Sequence, residues 1–297
     1  MSNVLVELSN AMAAAAEKAG TSTVMVNARR RMPASGIVYS DDLILTADHV
    51  VEREEGITVT LSDGTEIPAT LAGRDPGTDL VLLRLERADA KPAKTTEVAK
   101  IGQLVLALGR PSAEGIEASL GVVSAVSGPV RTPRGMLDSY IRTDSTPFPG
   151  FSGGPLVDAD GQIIGLNTSG FGRGSSITIP AGLAWKVADQ LAKHGSIKRG
   201  YLGIRSQAVE VPAAGQKALQ REQASGLLVL SVEKKSPAEA GGLMVGDILV
   251  GIDGHSVSDH DALFARLSGD VVGKSIPVEV LRGGQPQTLQ VKIGARP

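Results

Sequence analysis

"FPGFSGGPLVDADGQIIG", residues 148–165, sets one serine, Ser152, among Gly150, Gly153 and Gly154, with Pro155 behind them. Glycine inside an element costs conformational entropy, so three around one hydroxyl imply a backbone that turns sharply or is approached closely. Two readings fit the window. One is a Gly-Pro turn between strands, since "PLVDADGQIIGL" has the pattern of a hairpin around Asp160-Gly161. The other is a loop that presents a nucleophile. The rest of the chain decides between them by supplying, or failing to supply, a base and an acid to orient it.

Bulk properties narrow the field. A chain of 297 residues is long enough for two domains, each with its own core. The net charge of −2 gives no reason to expect nucleic acid or an anionic membrane as a partner. The 36 glycines imply many tight turns, and with only 3% aromatics the cores must be built from Val, Leu, Ile and Ala. The absence of cysteine excludes a thiol nucleophile, thiolate metal sites and disulfides. No cofactor and no metal are expected, and no apolar run approaches the length of a membrane span. The opening "MSNVLVELSNAMAAAAEKAG" lacks a basic start and is a poor signal peptide; it reads as an amphipathic helix with Val4, Leu5, Leu8 and Met12 on one face. The compartment is therefore left open: cytoplasmic if the chain is complete, periplasmic or cell-envelope if an export segment has been trimmed.

From Thr23 to Asn167 the sequence is a series of short β-branched and Leu-rich runs separated by Gly, Asp, Ser or Pro, with a hairpin signal at Asp63-Gly64. This pattern predicts barrels or a sandwich. A helix is predicted over Ala181–His194, with Leu183, Val187 and Leu191 at helical spacing and Gly195 as its stop. The polar stretch "HGSIKRG" (His194–Gly200) marks a domain boundary. Expected domains are 1–199, including an N-terminal helical segment over 1–20, and 200–297. The second has strands "GLLVLSV", "DILVGIDG", "IPVEVLRG" and "TLQVKIG" and helices at "PAEAGG" and "DHDALFARLSG".

Serine acyl-transfer chemistry needs a base to take the hydroxyl proton, an acid to hold the base's tautomer, and donors for the oxyanion. Of the four histidines, His194, His255 and His260 fit solvated helix ends and turns. His49, in "LILTADHVVE", ends an apolar strand. "GRDPGTDLVLLRLE" offers two aspartates. Asp79 immediately precedes a strand, whereas Asp75 falls in a Pro-Gly turn, where Asp is common for turn reasons alone. Asp48 would point to the opposite face from His49. The order His, Asp, Ser is that of the chymotrypsin-type double barrel, with the first two residues in one barrel and the serine in the other.

"LTADHVVE", "DLVLLRL", "RTDSTPFPGFSGGPLVDADGQIIGLNT" and the C-terminal unit together resemble the HtrA/Deg serine proteases, from about residue 20 to the end. The resemblance implies a mainly β fold: a trypsin-like double β-barrel followed by a small α+β PDZ domain. It implies His49 as base, Asp79 as its orienter and Ser152 as nucleophile, with the N–H groups of Gly150 and Ser152 as the oxyanion hole. It implies an ATP-independent endopeptidase for unfolded or misfolded proteins, usually assembled as a homotrimer or a trimer-based particle. The alternative is a chaperone or peptide-binding scaffold with weak or regulated protease activity. The chain departs from the family pattern at Phe151, where Asn is usual, at "TADHVV", and at "GRPSA" (Gly109–Ala113). Phe151 bears on the shape of the oxyanion loop.

Trypsin-like enzymes that cleave after Lys or Arg carry Asp six residues before the serine; here that position is Thr146, while Asp144 matches an aspartate of the HtrA family. With pocket walls at Thr146, Phe151, Asn167 and Thr168, a small or medium aliphatic P1 residue is expected. The stretch "NARRRMPASG" is short, and Arg29–Arg31 read as a solvated turn. In the C-terminal unit, "YLGIRS" and "SPAEAGGLMVGDILVGIDG" resemble the PDZ carboxylate loop and core. This implies Tyr201, Leu202, Gly203 and Ile204 as the site for peptide C-termini, with Leu263 and Leu267 lining the pocket.

Overall fold

A computed structural model describes residues 3–87, 90–132, 135–171, 177–197, 200–267 and 271–295. The chain divides into two compact units, Met1–Ile197 and Lys198–Pro297. Lys198 and Arg199, within the predicted boundary stretch, lie outside the described residues.

The first unit opens with helix α1 (Val4–Gly20), capped by the Asn3 side chain, which accepts from the Leu5 N–H. Its packed face is Met12, Ala15, Ala19 and Gly20, while Val4, Leu5 and Leu8 remain exposed. The apolar face expected from Val4, Leu5, Leu8 and Met12 is therefore buried only at Met12. Small residues are what allow the helix to approach the barrel: a Cβ on Gly20 would meet Ile116 Cδ1 at 2.8 Å.

Six strands, β1 (Thr23–Asn27), β2 (Ala34–Val38), β3 (Leu43–Ala47), β4 (Ile57–Thr60), β5 (Glu66–Asp75) and β6 (Leu80–Leu85), close into a barrel in the order β1-β2-β3-β6-β5-β4. β2 and β3 are buried along their whole length, which suits continuous apolar runs at the centre of the unit. The turn between β4 and β5 is the predicted Asp63-Gly64 hairpin; Gly64 has φ +87° and Asp63 accepts from the Thr65 N–H.

A second barrel follows: β7 (Leu104–Ser112), β8 (Gly115–Ser127), the small hairpin β9 (Val130–Thr132) and β10 (Gly135–Leu137), then β11 (Tyr140–Thr143), β12 (Pro155–Val157), β13 (Ile163–Thr168) and β14 (Ile177–Pro180). It closes in the order β11-β14-β13-β12-β7-β8, with β9 and β10 as a separate ribbon. Closure of both sheets leaves no barrel edge to aggregate. Helix α2 (Ala181–His194) ends at Gly195, which adopts the left-handed conformation (φ +71°) and donates to the Leu191 carbonyl.

The second unit is α+β: β15 (Gly200–Tyr201), β16 (Ile204–Glu210), α3 (Ala213–Leu219), β17 (Ser225–Val232), α4 (Pro237–Ala240), β18 (Ile248–Ile252), β19 (His255–Ser256), α5 (His260–Leu267), β20 (Ser275–Arg282), β21 (Gln285–Lys292) and β22 (Gly294–Ala295). The main sheet runs β16-β17-β18-β20-β21, so β16 is an edge strand. α3 was not anticipated: "AAGQKAL" carries too little apolar periodicity to be found. Among the described residues no helix is long and apolar enough to cross a membrane.

Candidate active site

The fold brings His49, Asp79 and Ser152 to one region from three separate chain segments. His49 follows β3 on a single 3-10 turn, Asp48–Val50. Asp79 directly precedes β6, is fully buried, and has φ +57°. A left-handed backbone at a non-glycine residue is a strained feature, and Asp tolerates it better than most. It lets the Asp79 carbonyl accept from the Asp48 N–H at 3.0 Å while the carboxylate faces the histidine. Asp79 Oδ1 accepts from the His49 N–H at 2.9 Å and Oδ2 lies 2.8 Å from His49 Nδ1. A carboxylate can only accept there, so Nδ1 carries the proton and Nε2 is left as the basic nitrogen. Thr168 donates its hydroxyl to Asp79 Oδ2, and the Gly170 N–H in turn donates to Thr168 Oγ1 at 2.9 Å. Gly170 must be small: a Cβ there would sit 2.3 Å from Asp79 Oδ2 and 2.8 Å from His49 Nδ1.

The other two acids near His49 serve structure. Asp75 accepts from the Thr78 hydroxyl at 2.6 Å and from the Thr78 and Gly77 N–H groups, an Asx-type turn. Asp48 accepts from Arg74 Nε at 2.7 Å.

Ser152 rises from a loop whose geometry is written in its sequence. Phe148-Pro149-Gly150-Phe151 is a type II turn: Pro149 fixes the first central φ, Gly150 supplies φ +89° at the second, and the Phe151 N–H donates to the Phe148 carbonyl at 3.1 Å. Gly153 also has positive φ (+87°), and a Cβ on it would lie 2.1 Å from both the Ser35 carbonyl and Thr46 Oγ1. The Phe151 carbonyl accepts from the Gly154 N–H at 2.9 Å, which turns the Ser152 N–H of the same trans peptide the opposite way. Among the described residues the N–H groups of Gly150 and Ser152 have no intramolecular acceptor. Ser152 Oγ lies 3.0 Å from Ser169 Oγ, and no hydrogen bond joins it to His49 among the described residues. His49, Gly150, Ser152 and Ser169 all border one cavity of about 460 Å³.

The expected pocket residues distribute differently. Thr146 is exposed, donates its N–H to Ser119 Oγ at 2.9 Å, and is not among the residues lining this cavity. Phe151, Asn167 and Thr168 contribute to the wall, but their side chains are committed elsewhere. Phe151 is buried in the second barrel with Val105, Ala107, Ile141 and Leu156. Asn167 Nδ2 donates to the Pro155 carbonyl and its Oδ1 accepts from Thr178 Oγ1, both at 2.8 Å. Thr168 holds Asp79. Asp144 accepts from the Val122 N–H at 2.6 Å. Arg29 and Arg31, read from sequence as a solvated turn, both line the cavity. Ser169 and the Thr168–Asp79 contact were missed, because their partners are distant in sequence and no local pattern announces them.

In the second unit, Tyr201 donates its hydroxyl to Glu233. Leu202 is buried in the core, and its carbonyl accepts from the Ala238 N–H at 2.8 Å. Gly203 has φ +81°, and a Cβ on it would meet Ser236 Cβ at 2.3 Å. Ile204 begins the edge strand β16. Leu263 and Leu267 are buried in the core with Leu227, Val229 and Leu249, while Phe264 of the same helix is exposed. His260 Nε2 lies 3.1 Å from both Oγ and the carbonyl oxygen of Ser206, tying α5 to β16. Among the described residues no group of three or more His, Cys, Asp or Glu could hold a metal ion.

Residues 34–166 match the trypsin-like peptidase domain family and residues 200–293 the PDZ domain family. A protein of Halomonas elongata named probable periplasmic serine endoprotease DegP-like is 37% identical over 278 residues, covering 90% of this chain and 57% of the relative. The chain spans somewhat more than half the length of the curated relatives it matches. A solved structure titled HtrA-type protease AlgW with tripeptide superposes with a TM-score of 0.79 at 32% identity, over 96% of this chain and 97% of that one. The serine endoprotease from Yersinia pestis superposes with a TM-score of 0.79 at 30% identity, over 95% and 97%.

Proposed function

The chain belongs to the HtrA family of serine proteases, a trypsin-like domain joined to a PDZ domain, and we propose that it is itself a serine endopeptidase acting on unfolded or misfolded protein without ATP. The observation that carries this reading is the buried Asp79 carboxylate 2.8 Å from His49 Nδ1, on a histidine that shares its cavity with Ser152.

In the proposed mechanism Ser152 Oγ attacks the scissile carbonyl and His49 Nε2 takes its proton. Asp79, held by Thr168, keeps the imidazole in the required tautomer and stabilises the imidazolium. The oxyanion is received by the N–H groups of Gly150 and Ser152. His49 then passes the proton to the leaving amine, and a water deprotonated by His49 hydrolyses the acyl-enzyme. Ser152 reaches His49 by turning away from Ser169, an adjustment of the sort that substrate binding commonly completes.

The apolar lining at Met32, Phe148 and Pro149, with Arg29 and Arg31 on the same wall outweighing the single carboxylate of Glu52, favours a small or medium aliphatic P1 residue over Lys or Arg. For the second unit we propose capture of peptide C-termini by strand addition to β16, with the Tyr201–Ile204 loop receiving the carboxylate. A small interface of this kind gives roughly micromolar affinity, about −8 kcal/mol. A homotrimer is the proposed assembly.

Digestion of casein by the wild type and by Ser152→Ala tests the reading: turnover is expected in the first and its loss, by about 10⁴-fold or more, in the second. The hydrogen bond of Ser152 to Ser169 rather than to His49 favours a second reading, a peptide-binding chaperone whose protease rests inactive. Binding of a free-acid peptide, with no casein cleavage in its presence or absence, would select that reading.

A further inference from the structure

Ser35, in β2 of the first barrel, is fully buried and takes no part in the chemistry described above. Its hydroxyl donates to the Gly150 carbonyl at 2.7 Å and accepts from the Arg110 N–H at 2.8 Å. Its own N–H donates to the Ser152 carbonyl at 3.2 Å, and its carbonyl accepts from Thr46 Oγ1 at 2.6 Å. One residue of the first barrel thus grips the carbonyls of both Gly150 and Ser152, the two residues whose N–H groups are left without an intramolecular acceptor.

We propose that Ser35 is a positioning residue for the oxyanion donors, setting the separation and direction of the Gly150 and Ser152 N–H groups across the junction of the two barrels. The proposal rests on the serine-protease reading of Ser152.

First, a hydroxyl has one proton to give, and here it is committed: with Arg110 N–H donating to Oγ, the proton goes to Gly150. Second, the alternative to the observed turn is close at hand. A type I turn over Phe148–Phe151 keeps the same closing hydrogen bond but turns the Pro149–Gly150 peptide over, so that a carbonyl replaces the Gly150 N–H. Donors aimed before the reaction begins are what make an oxyanion hole effective, so a contact that fixes the peptide just after this one matters. Third, Gly150 is packed too closely to carry a side chain that would restrain its own backbone. A Cβ there would meet Pro111 Cβ at 2.5 Å, so the residue must stay glycine, the least restrained of all. Fixing its carbonyl from outside the loop compensates for that freedom. Removing the Ser35 hydroxyl would leave the buried Gly150 carbonyl and Arg110 N–H unpartnered and let the loop sample other turns.

The test compares wild type, Ser35→Ala and Ser35→Cys, the last keeping a weak donor of similar size. Each is measured per folded protein by circular dichroism, on a fluorogenic peptide and with a peptide boronate that forms a tetrahedral adduct. A positioning role predicts that Ser35→Ala lowers kcat about 10²-fold with KM within about twofold, the lower end of the 10² to 10³ range for deleting a donor outright. Boronate affinity should fall in parallel, and Ser35→Cys should lie between. The same peptide, amidated at its C-terminus and bound to Ser152→Ala and to Ser35→Ala/Ser152→Ala, should show equal affinity. A Ser35→Ala enzyme with wild-type kcat, or a loss in KM and ground-state binding as large as the loss in kcat, would overturn the proposal. A readout free of the chemistry is NMR relaxation dispersion of the Gly150 and Ser152 amides. Millisecond exchange should appear at both in Ser35→Ala and be absent in wild type; flat profiles in the variant would also overturn it. Wild-type protein that neither cleaves nor binds boronate would refute Ser152 as nucleophile, and the dispersion measurement would still judge Ser35.

Discussion

Asp79 and Asp75 are four residues apart, both buried, and differ in what they touch. Asp79 faces His49, the Asp79–His49 contact being 2.8 Å; Asp75 spends its carboxylate on the Thr78 and Gly77 turn. Asp79→Asn should therefore lower kcat by about 10⁴-fold through the wrong imidazole tautomer, with little change in melting temperature. Asp75→Asn should cost about 1 kcal/mol of stability and leave kcat near wild type. Steady-state kinetics and a thermal melt on both variants check the pair, and the reverse ranking would move the acid to Asp75. At this scale residue type and chain order pointed to His49, Asp79, Ser152 and the glycines around the serine, which the fold brings to one region. The sequence was silent on Ser169 and Ser35 and on the Thr168–Asp79 contact, because these depend on partners 17 to 115 residues away. Phe151 was legible as an unusual residue but not as a core residue, because the turn that buries it depends on packing from the rest of its barrel.

Elements give a sharper use of glycine. Gly195 and Gly153 both have positive φ, at +71° and +87°. A Cβ on Gly195, past the end of α2, would meet only the Ala72 carbonyl at 3.6 Å, an ordinary contact. Gly195→Ala should then cost only backbone strain, about 1 kcal/mol, and leave activity unchanged. At Gly153 the same methyl would overlap Ser35 and Thr46 at 2.1 Å, so Gly153→Ala should destabilise by more than about 3 kcal/mol and abolish turnover. Melts followed through Trp185, the single tryptophan, separate the two. Equal shifts would mean that the loop around Ser152 yields more readily than its packing implies. Elements with strong signals, such as α2 with its glycine stop and the Asp63-Gly64 hairpin, lie where the sequence puts them. α3, and the outward-facing start of α1, do not follow from periodicity, since tertiary packing decides which apolar residues are covered.

At the scale of the molecule, the two units differ in how they hold charge. The first buries Arg110 with no carboxylate partner among the described residues, its guanidinium donating to the carbonyls of Gly20, at the end of α1, and Thr23, and burial pushes its pKa down. A cation at a helix C-terminus is favourably placed. The second holds buried Asp247 against Arg282 in two 2.8 Å contacts. Burial alone would raise the Asp247 pKa, but the bonds from Arg282 and the Met244 N–H outweigh it and hold the carboxyl below the usual range. A carboxyl whose pKa is depressed on folding contributes stability above its unfolded value, near 4, which is lost as pH falls through the folded value. The second unit should therefore weaken below about pH 4, and Asp247→Asn should flatten that dependence. Urea unfolding of the whole chain, read through amide resonances of β17 and β18 at several pH values, measures it; an unchanged slope would contradict the assignment. The division into a barrel protein and a smaller α+β unit was legible from the polar stretch His194–Gly200. The cavity position of Arg29 and Arg31 was not, because a basic turn looks the same in sequence whether it faces solvent or a cleft.

The central claim is that His49 makes Ser152, and no other hydroxyl, nucleophilic. Ser169, 3.0 Å from Ser152, is the natural internal control. Treating wild type, His49→Ala and Ser152→Ala with a fluorophosphonate, followed by intact-mass analysis and peptide mapping, tests it most directly. The account predicts one adduct per chain in the wild type, on Ser152, and none in either variant. An unlabelled wild type, an adduct on Ser169, or full labelling of His49→Ala would contradict it.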